Sequence, residues 1–225
     1  MPPRLPGRHS SAGESAAGLR LLDTYSNLAQ RRQHLLGSQL GGQAPEQWQH
    51  YPEDDATDSA SGFQWFYHSH APEDRPATAE HGHIHLFARR KLWSRRLRSA
   101  KAMRFAELAE GAERWVNTRH LLSIGFDAKG IPNSLFTVNS WVTGDLMLSA
   151  ETTAALLAGM RLDTGNQLID AVIEAVVQLC KPEIQSLLQA RDQLLFSRQA
   201  AGLLQDESLE LLSELAIDLD AKLAA

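Results

Sequence analysis

The chain has 225 residues, 43% of them hydrophobic, and a formal net charge of -5; these values fit a globular protein with a substantial core and exclude a general polyanion binder. Its single cysteine, Cys180, excludes an intramolecular disulfide. No stretch approaches the ~18 apolar residues of a transmembrane helix, and Met1 to Gly18 lacks the apolar run of a signal peptide, so a cytoplasmic protein without a membrane partner is expected.

Residues 1–14 are rich in Pro, Gly and Ser and read as a disordered tail, followed by one α+β domain over 15–225. From Ser15 to Leu36, Leu19, Leu22, Tyr25, Leu28, Leu35 and Leu36 recur at helical spacing, and Gly37 ends the run. Ser38 to Gly62 is polar and reads as a long loop, a feature often tied to function in compact domains. The period then changes to two. Phe63–His70 and Gly82–Phe87 read as a strand pair around a loop holding Pro72 and Pro76. Arg89–Asn117 is helical in pattern. His120–Phe126 and Ile131–Val138 form a second pair around the turn Asp127-Ala128-Lys129-Gly130. From residue 149 on the chain reads as helical. Ser149 caps Ala150–Met160, Asn166–Lys181 carries Leu168, Val172, Ile173, Val176 and Val177 on one face, and Pro182 opens a helix to Arg198. Asp206–Leu223 reads as a last, Leu-rich helix. The expected architecture is a small antiparallel sheet of about two hairpins, over residues 63–138, packed by helices, with a helical C-terminal half at 149–223.

The strongest chemical signal is five histidines within eighteen residues, His68, His70, His81, His83 and His85. Register in a hairpin follows from which face is buried. Phe63, Trp65, Tyr67 and Ser69 share one face of the first strand; Gly82, Ile84, Leu86 and Ala88 share one face of the second. With these faces together, Phe66, His68 and His70 lie opposite His81, His83, His85 and Phe87. The register that sets His70 against His81 sets His68 against His83. Opposed residues lie about 4.5–5.5 Å apart at Cβ, within reach of a shared ion. Several imidazoles on one face repel when charged and are hard to satisfy when buried, and a cation removes both problems. Glu80 adjoins the second strand and adds a carboxylate; Glu73 and Asp74 lie in the loop. The expected metal site is therefore His68, His70, Glu80, His83 and His85. It suits a divalent transition metal, zinc or iron first, and the absence of nearby cysteine argues against a structural zinc finger. A solvated, His-rich polar face is the alternative.

Three patterns invite comparison. Gly62, His68-Ser69-His70 and Asp74 resemble the first cupin motif, with Asp in place of the usual Glu and no second motif. His81-Gly82-His83-Ile84-His85-Leu86-Phe87 resembles the histidine-triad nucleotide hydrolases; that resemblance implies metal-free phosphate chemistry with His83 as nucleophile. The broadest covers about two thirds of the chain: Tyr51-Pro52, Tyr67-His68-Ser69-His70, Glu80-His81-Gly82-His83-Ile84-His85-Leu86-Phe87 and Asn139-Ser140-Trp141-Val142-Thr143-Gly144-Asp145 resemble an uncharacterised bacterial family of unknown function. It implies a shared fold and no particular chemistry, so the chain reads as a metal-binding protein, with a metal-dependent enzyme or a non-catalytic interaction protein both open.

Other residues invite a functional and a plain reading. His120 shares its strand face with Leu122, Ile124 and Phe126 by alternation, and is either an extra ligand or an ordinary strand-end histidine. Trp141 to Asp145 reads first as a Trp-anchored Gly turn, and second as a source of groups, Asn139 and Asp145, that orient a ligand histidine. Arg89–Arg104 holds eight Lys or Arg residues. It reads as a solvated face or as an attractor for a small anionic ligand; nucleic acid is not the expected partner, because no stacking-aromatic motif accompanies it. Cys180 reads as buried and inert. Leu stripes in the last helices are core first and homodimer seam second.

Overall fold

A computed structural model describes residues 12–70, 80–94, 117–198 and 202–224. The class is α+β, built on a seven-stranded sheet. Strands β1 (Tyr51–Thr57), β2 (Phe63–Ser69), β3 (Gly82–Arg89), β4 (Thr118–Phe126), β5 (Pro132–Val138) and β7 (Leu211–Ala216) lie side by side in that order, and β6 (Leu146–Met147) pairs with β4. The two expected hairpins are thus the centre of one continuous sheet. All pairings along the main path are antiparallel, and β6 joins β4 in parallel.

The apolar face of the central strands packs against helices. Phe63, Trp65, Tyr67, Ile84, Leu86, Leu122, Ile124 and Leu135 form one core with α1 (Ala12–Arg31) and α6 (Gln167–Leu179). Within α1 the buried stripe is Ala17, Leu21 and Leu28, whereas Leu19 and Leu22 are exposed; the helix turns to the core, chiefly against α6, a face one step round from the expected one. In α6 Val172, Ile173, Val176 and Val177 are buried as the periodicity predicts, and Leu168 is exposed. Trp65 satisfies its indole N–H on Asp170 Oδ1 of α6 at 2.9 Å, which fixes this helix against the sheet. Gly37 does not end the first helix. It opens a single turn, α2 (Gly37–Leu40), after Leu35 and Leu36 have been buried.

Ser149 caps α5 (Ala150–Ala158), its hydroxyl accepting from Thr152 N. Pro182 lies in the first turn of α7 (Lys181–Arg198). The expected turn at Asp127–Gly130 is present, with Asp127 Oδ1 accepting from Lys129 N and Ile131 N. Asn139 caps α4 (Ser140–Thr143) and Gly144, at φ 71°, terminates it. Trp141 is half-buried and donates to Leu209 O. The basic segment starts with α3 (Arg90–Trp93), and Arg95, Arg96, Arg98 and the rest to Arg104 lie outside the described residues. Among the described residues no helix is long and apolar enough to cross a membrane.

Two further expectations are corrected. The segment 38–62 contains a strand, β1, whose Pro52, Glu53, Asp54 and Asp55 disguise it. Such residues suit a sheet edge, where one side of the ladder is unpaired. The Leu-rich segment after Asp206 is not one helix. Leu211–Ala216 is β7, and only α8 (Leu219–Leu223) is helical. The free edge of β5 supplies partners from Ser134↔Ala216 to Val138↔Leu211, and this pairing overrides the local helix propensity.

Candidate metal centre

The face of the sheet away from the main core carries the histidines. β2 and β3 pair with His68 opposite His83, and the ladder ends at Ser69↔Gly82. His81 therefore falls outside the pairing. It is exposed, and its Nδ1 lies 3.4 Å from the hydroxyl of Tyr67, a residue of the other face. The remaining four histidines of the motif, together with Glu80, are buried.

Their nitrogens converge. Nε2 of His83 lies 2.5 Å from Nε2 of His68 and 3.0 Å from Nε2 of His85. On the opposite edge of the His83 ring, Nδ1 lies 2.6 Å from Glu80 Oε1, and the same oxygen lies 3.0 Å from Nε2 of His70. The second carboxylate oxygen of Glu80 accepts from Ser134 Oγ at 3.0 Å. Two overlapping groups, His68–His83–His85 and His70–Glu80–His83, each offer ligand atoms within 4.8 Å of one another. The cluster can hold a metal ion.

Local sequence explains this placement. Glu80 needs space where its carboxylate crosses the sheet face, and Gly125 on β4 provides it. A Cβ at Gly125 would fall 2.9 Å from Glu80 Cδ and would overlap Ser134 Oγ as well. Gly82 plays the matching part on the core face, where a Cβ would collide with the Tyr67 ring at 2.6 Å from Cζ. Phenyl rings frame the imidazoles: Phe136 stands edge-on to His83 at 4.9 Å between centroids, and Phe66 lies 5.2 Å from His85.

His120 joins the same face, contrary to simple alternation. The β3–β4 register shifts between Leu86↔Leu122 and Phe87↔His120, leaving Leu121 as the extra residue of a bulge. His120 is thereby turned from the face of Leu122 to that of Phe87 and His85. Its Nε2 lies 3.1 Å from His85 Nδ1 and 3.1 Å from Ser123 Oγ, which itself lies 2.9 Å from His85 Nδ1. Asn139 and Asp145 do not reach the histidines among the interactions seen. Asn139 bonds Ser140 N and Leu203 O, and Asp145 accepts from Thr118. Cys180 is buried, and burial pushes its thiol up to about 12, so it is inert.

Burial disfavours imidazolium at His68, His85 and His120. It lowers His68 to about 4, with help from His70 and His50 and against the pull of Glu80. It holds His85 well below the ordinary histidine value, with His83 and His120 adding to the effect. It lowers His120 to about 3, with the Arg191 guanidinium contributing. Neutral imidazoles with free lone pairs are the form that binds metal.

Two residues of the 46–50 segment also border the cluster, and no periodicity announced them. Trp48 is 62% exposed and stands edge-on to His68 at 5.6 Å. His50 stacks on Phe66 at 3.6 Å. The one available signal was aromatic and imidazole content in a segment otherwise read as loop.

The fold and site define an α+β protein with a buried histidine–carboxylate cluster able to hold a metal ion. Residues 15–217 match the model of a family described as Domain of unknown function (DUF6969), and the chain belongs to that family. No curated protein and no solved structure matches the chain.

Proposed function

We propose that this is a metal-dependent protein whose centre is a divalent transition metal, zinc or iron first, held by Nε2 of His68, His83 and His85. Glu80 holds the Nδ1–H of His83, and His70 supports Glu80 from its other side. One observation carries the reading: with Nδ1 of His83 donating to Glu80, its Nε2 has a single lone pair, yet that atom faces two further imidazole nitrogens at 2.5 and 3.0 Å. One lone pair satisfies at most one N–H donor. A cation satisfies all three nitrogens, and a carboxylate behind a ligand imidazole is a recurrent support for bound metal. Ligand nitrogens about 3.3 Å apart suit a tetrahedral ion, so a slight opening of the rings accommodates it. A set of three histidine nitrogens is the ligand pattern of catalytic rather than structural zinc. This favours an enzyme over a passive metal store.

The histidine-triad alternative fares worse. His81, the first residue of that run, is exposed and turned to Tyr67, and the Nε2 of the proposed nucleophile His83 is enclosed by His68 and His85. The test is elemental analysis of the full chain purified without a histidine tag. About one metal per chain in wild type, and loss in His83→Ala, is the expected result. Metal-free wild type that also fails to take up zinc, iron or cobalt after reconstitution overturns the reading.

A further inference from the structure

Residues 46–55, which border the histidine cluster through Trp48 and His50, have an unusual backbone. Trp48, at φ 65°, and Asp55, at φ 51°, are two of the three non-glycine residues with positive φ among the described residues. Asp tolerates this conformation, but a bulky aromatic there is disfavoured and persists only where surrounding contacts enforce it. Here they do. Trp48 N donates to Ser69 O at 3.1 Å, and Glu46 N donates to the Tyr51 hydroxyl at 2.9 Å, pinning the segment across the end of β2.

Between these two residues sits His50, on the histidine side of the sheet. Its ring lies flat on Phe66, 3.6 Å between centroids and 9° from parallel. Its Nδ1 is 3.1 Å from Asp55 Oδ1, and Asp55 is steadied through its other oxygen by Gln64 Nε2 at 2.7 Å. Stacking fixes the plane of the ring and the carboxylate fixes its rotation. The His50 side chain remains 43% exposed, and its centroid lies 6.4 Å from that of His68. It is too far to share the Nε2 convergence and close enough to meet whatever else binds there. A carboxylate at Nδ1 selects the tautomer in which Nε2 carries the lone pair.

We propose that His50 is a binding residue for an exogenous ligand of the metal: its Nε2 accepts a hydrogen bond from a protic ligand such as water, an alcohol or a hydroxamic acid, while Trp48 forms the facing wall. This rests on the metal reading above. It explains why a solvent-exposed histidine is locked in one orientation by Phe66 and Asp55, and why a tryptophan is held in a disfavoured conformation beside it.

The experiment uses the full chain loaded with cobalt(II), whose visible absorption reports changes at the metal. Two probes are titrated: acetohydroxamate, which brings a proton to donate, and azide, which brings none. His50→Phe keeps the stack on Phe66 and removes the acceptor; it should weaken acetohydroxamate by about five- to tenfold, the worth of one hydrogen bond, and leave azide within about twofold. His50→Gln restores an acceptor and should recover most of the acetohydroxamate affinity. Asp55→Asn, which loosens the tautomer, should lie between wild type and His50→Phe. Cobalt bound with both probes unaffected by His50→Phe, or with both weakened equally, overturns the role of His50 alone. Failure of the wild type to bind cobalt overturns the metal reading and this one with it.

Discussion

Oε1 of Glu80 is shared by two imidazoles, 2.6 Å from Nδ1 of His83 and 3.0 Å from Nε2 of His70. The carboxylate side chain is wholly buried, so its charge has these two rings and the Ser134 hydroxyl for solvation. Glu80 is thereby the residue that sets which nitrogen of His83 is available.

Glu80→Gln keeps the shape of this contact but removes the charge that holds the His83 tautomer. Metal affinity should fall about 10- to 100-fold, the usual cost of losing such a partner. Far-UV circular dichroism should be unchanged, because the apolar face of the sheet is untouched. Competitive titration against a chromophoric chelator measures the effect, and wild-type affinity in the variant would remove Glu80 from the centre.

His83→Ala and His81→Ala should separate cleanly. His83 lies opposite His68 in the β2–β3 ladder and belongs to both groups of ligand atoms, whereas His81 precedes the strand and is exposed. The first variant should lose most bound metal and the second should retain it. Equal metal content in both, at the wild-type level, contradicts the assignment.

Metal-free protein should lose stability as pH falls. Burial holds His68 at about 4 and His120 at about 3 in the fold, against about 6.5 when the chain is unfolded. Below about pH 6.5 the unfolded chain takes up protons that the folded one refuses, so stability present above that value is lost as pH falls toward 4 for His68 and toward 3 for His120. Each histidine contributes a slope of up to about 1.4 kcal/mol per pH unit. Urea midpoints at about pH 7 and about pH 5 check this, and equal midpoints would falsify it.

Gly125→Ala should damage both fold and site. The added methyl meets Glu80 and Ser134, neither of which can retreat from a buried face. Overpacking of this kind costs about 1–3 kcal/mol. Gly159→Ala, with open space around its Cβ, is the matched control. Thermal melts of both variants, with metal stoichiometry alongside, should show a loss in the first only.

Much of this was legible in the chain because alternation is a local property. Trp65, Tyr67, Ile84 and Leu86 announce a buried face, and the same alternation commits His68, His83 and His85 to the other. Glu80 was found because it adjoins them in sequence. What lay hidden depends on partners distant in the chain. Leu211–Ala216 is a strand because β5 has an open edge, not because of its composition. His120 changes face because of one extra residue at Leu121, which alternation cannot foresee. Gly125 matters because Glu80 crosses above it, and His50 matters because Asp55 and Phe66 meet it on an edge strand that reads as loop.

The short sequence distance between His68 and His83 bears on the order of folding. They are 15 residues apart, whereas Thr137 and Ser213, which tie β7 to β5, are 76 apart. A hairpin closes in about 1–10 μs, and closing longer loops costs more chain entropy before any contact rewards it. The nitrogens of β2 and β3 therefore come together while the far edge of the sheet is still unpaired. A cation captured at that stage would hold the hairpin in the one register that places Trp65 and Ile84 together on the apolar face, and so act as a nucleus on which β4, β5 and finally β7 add in turn.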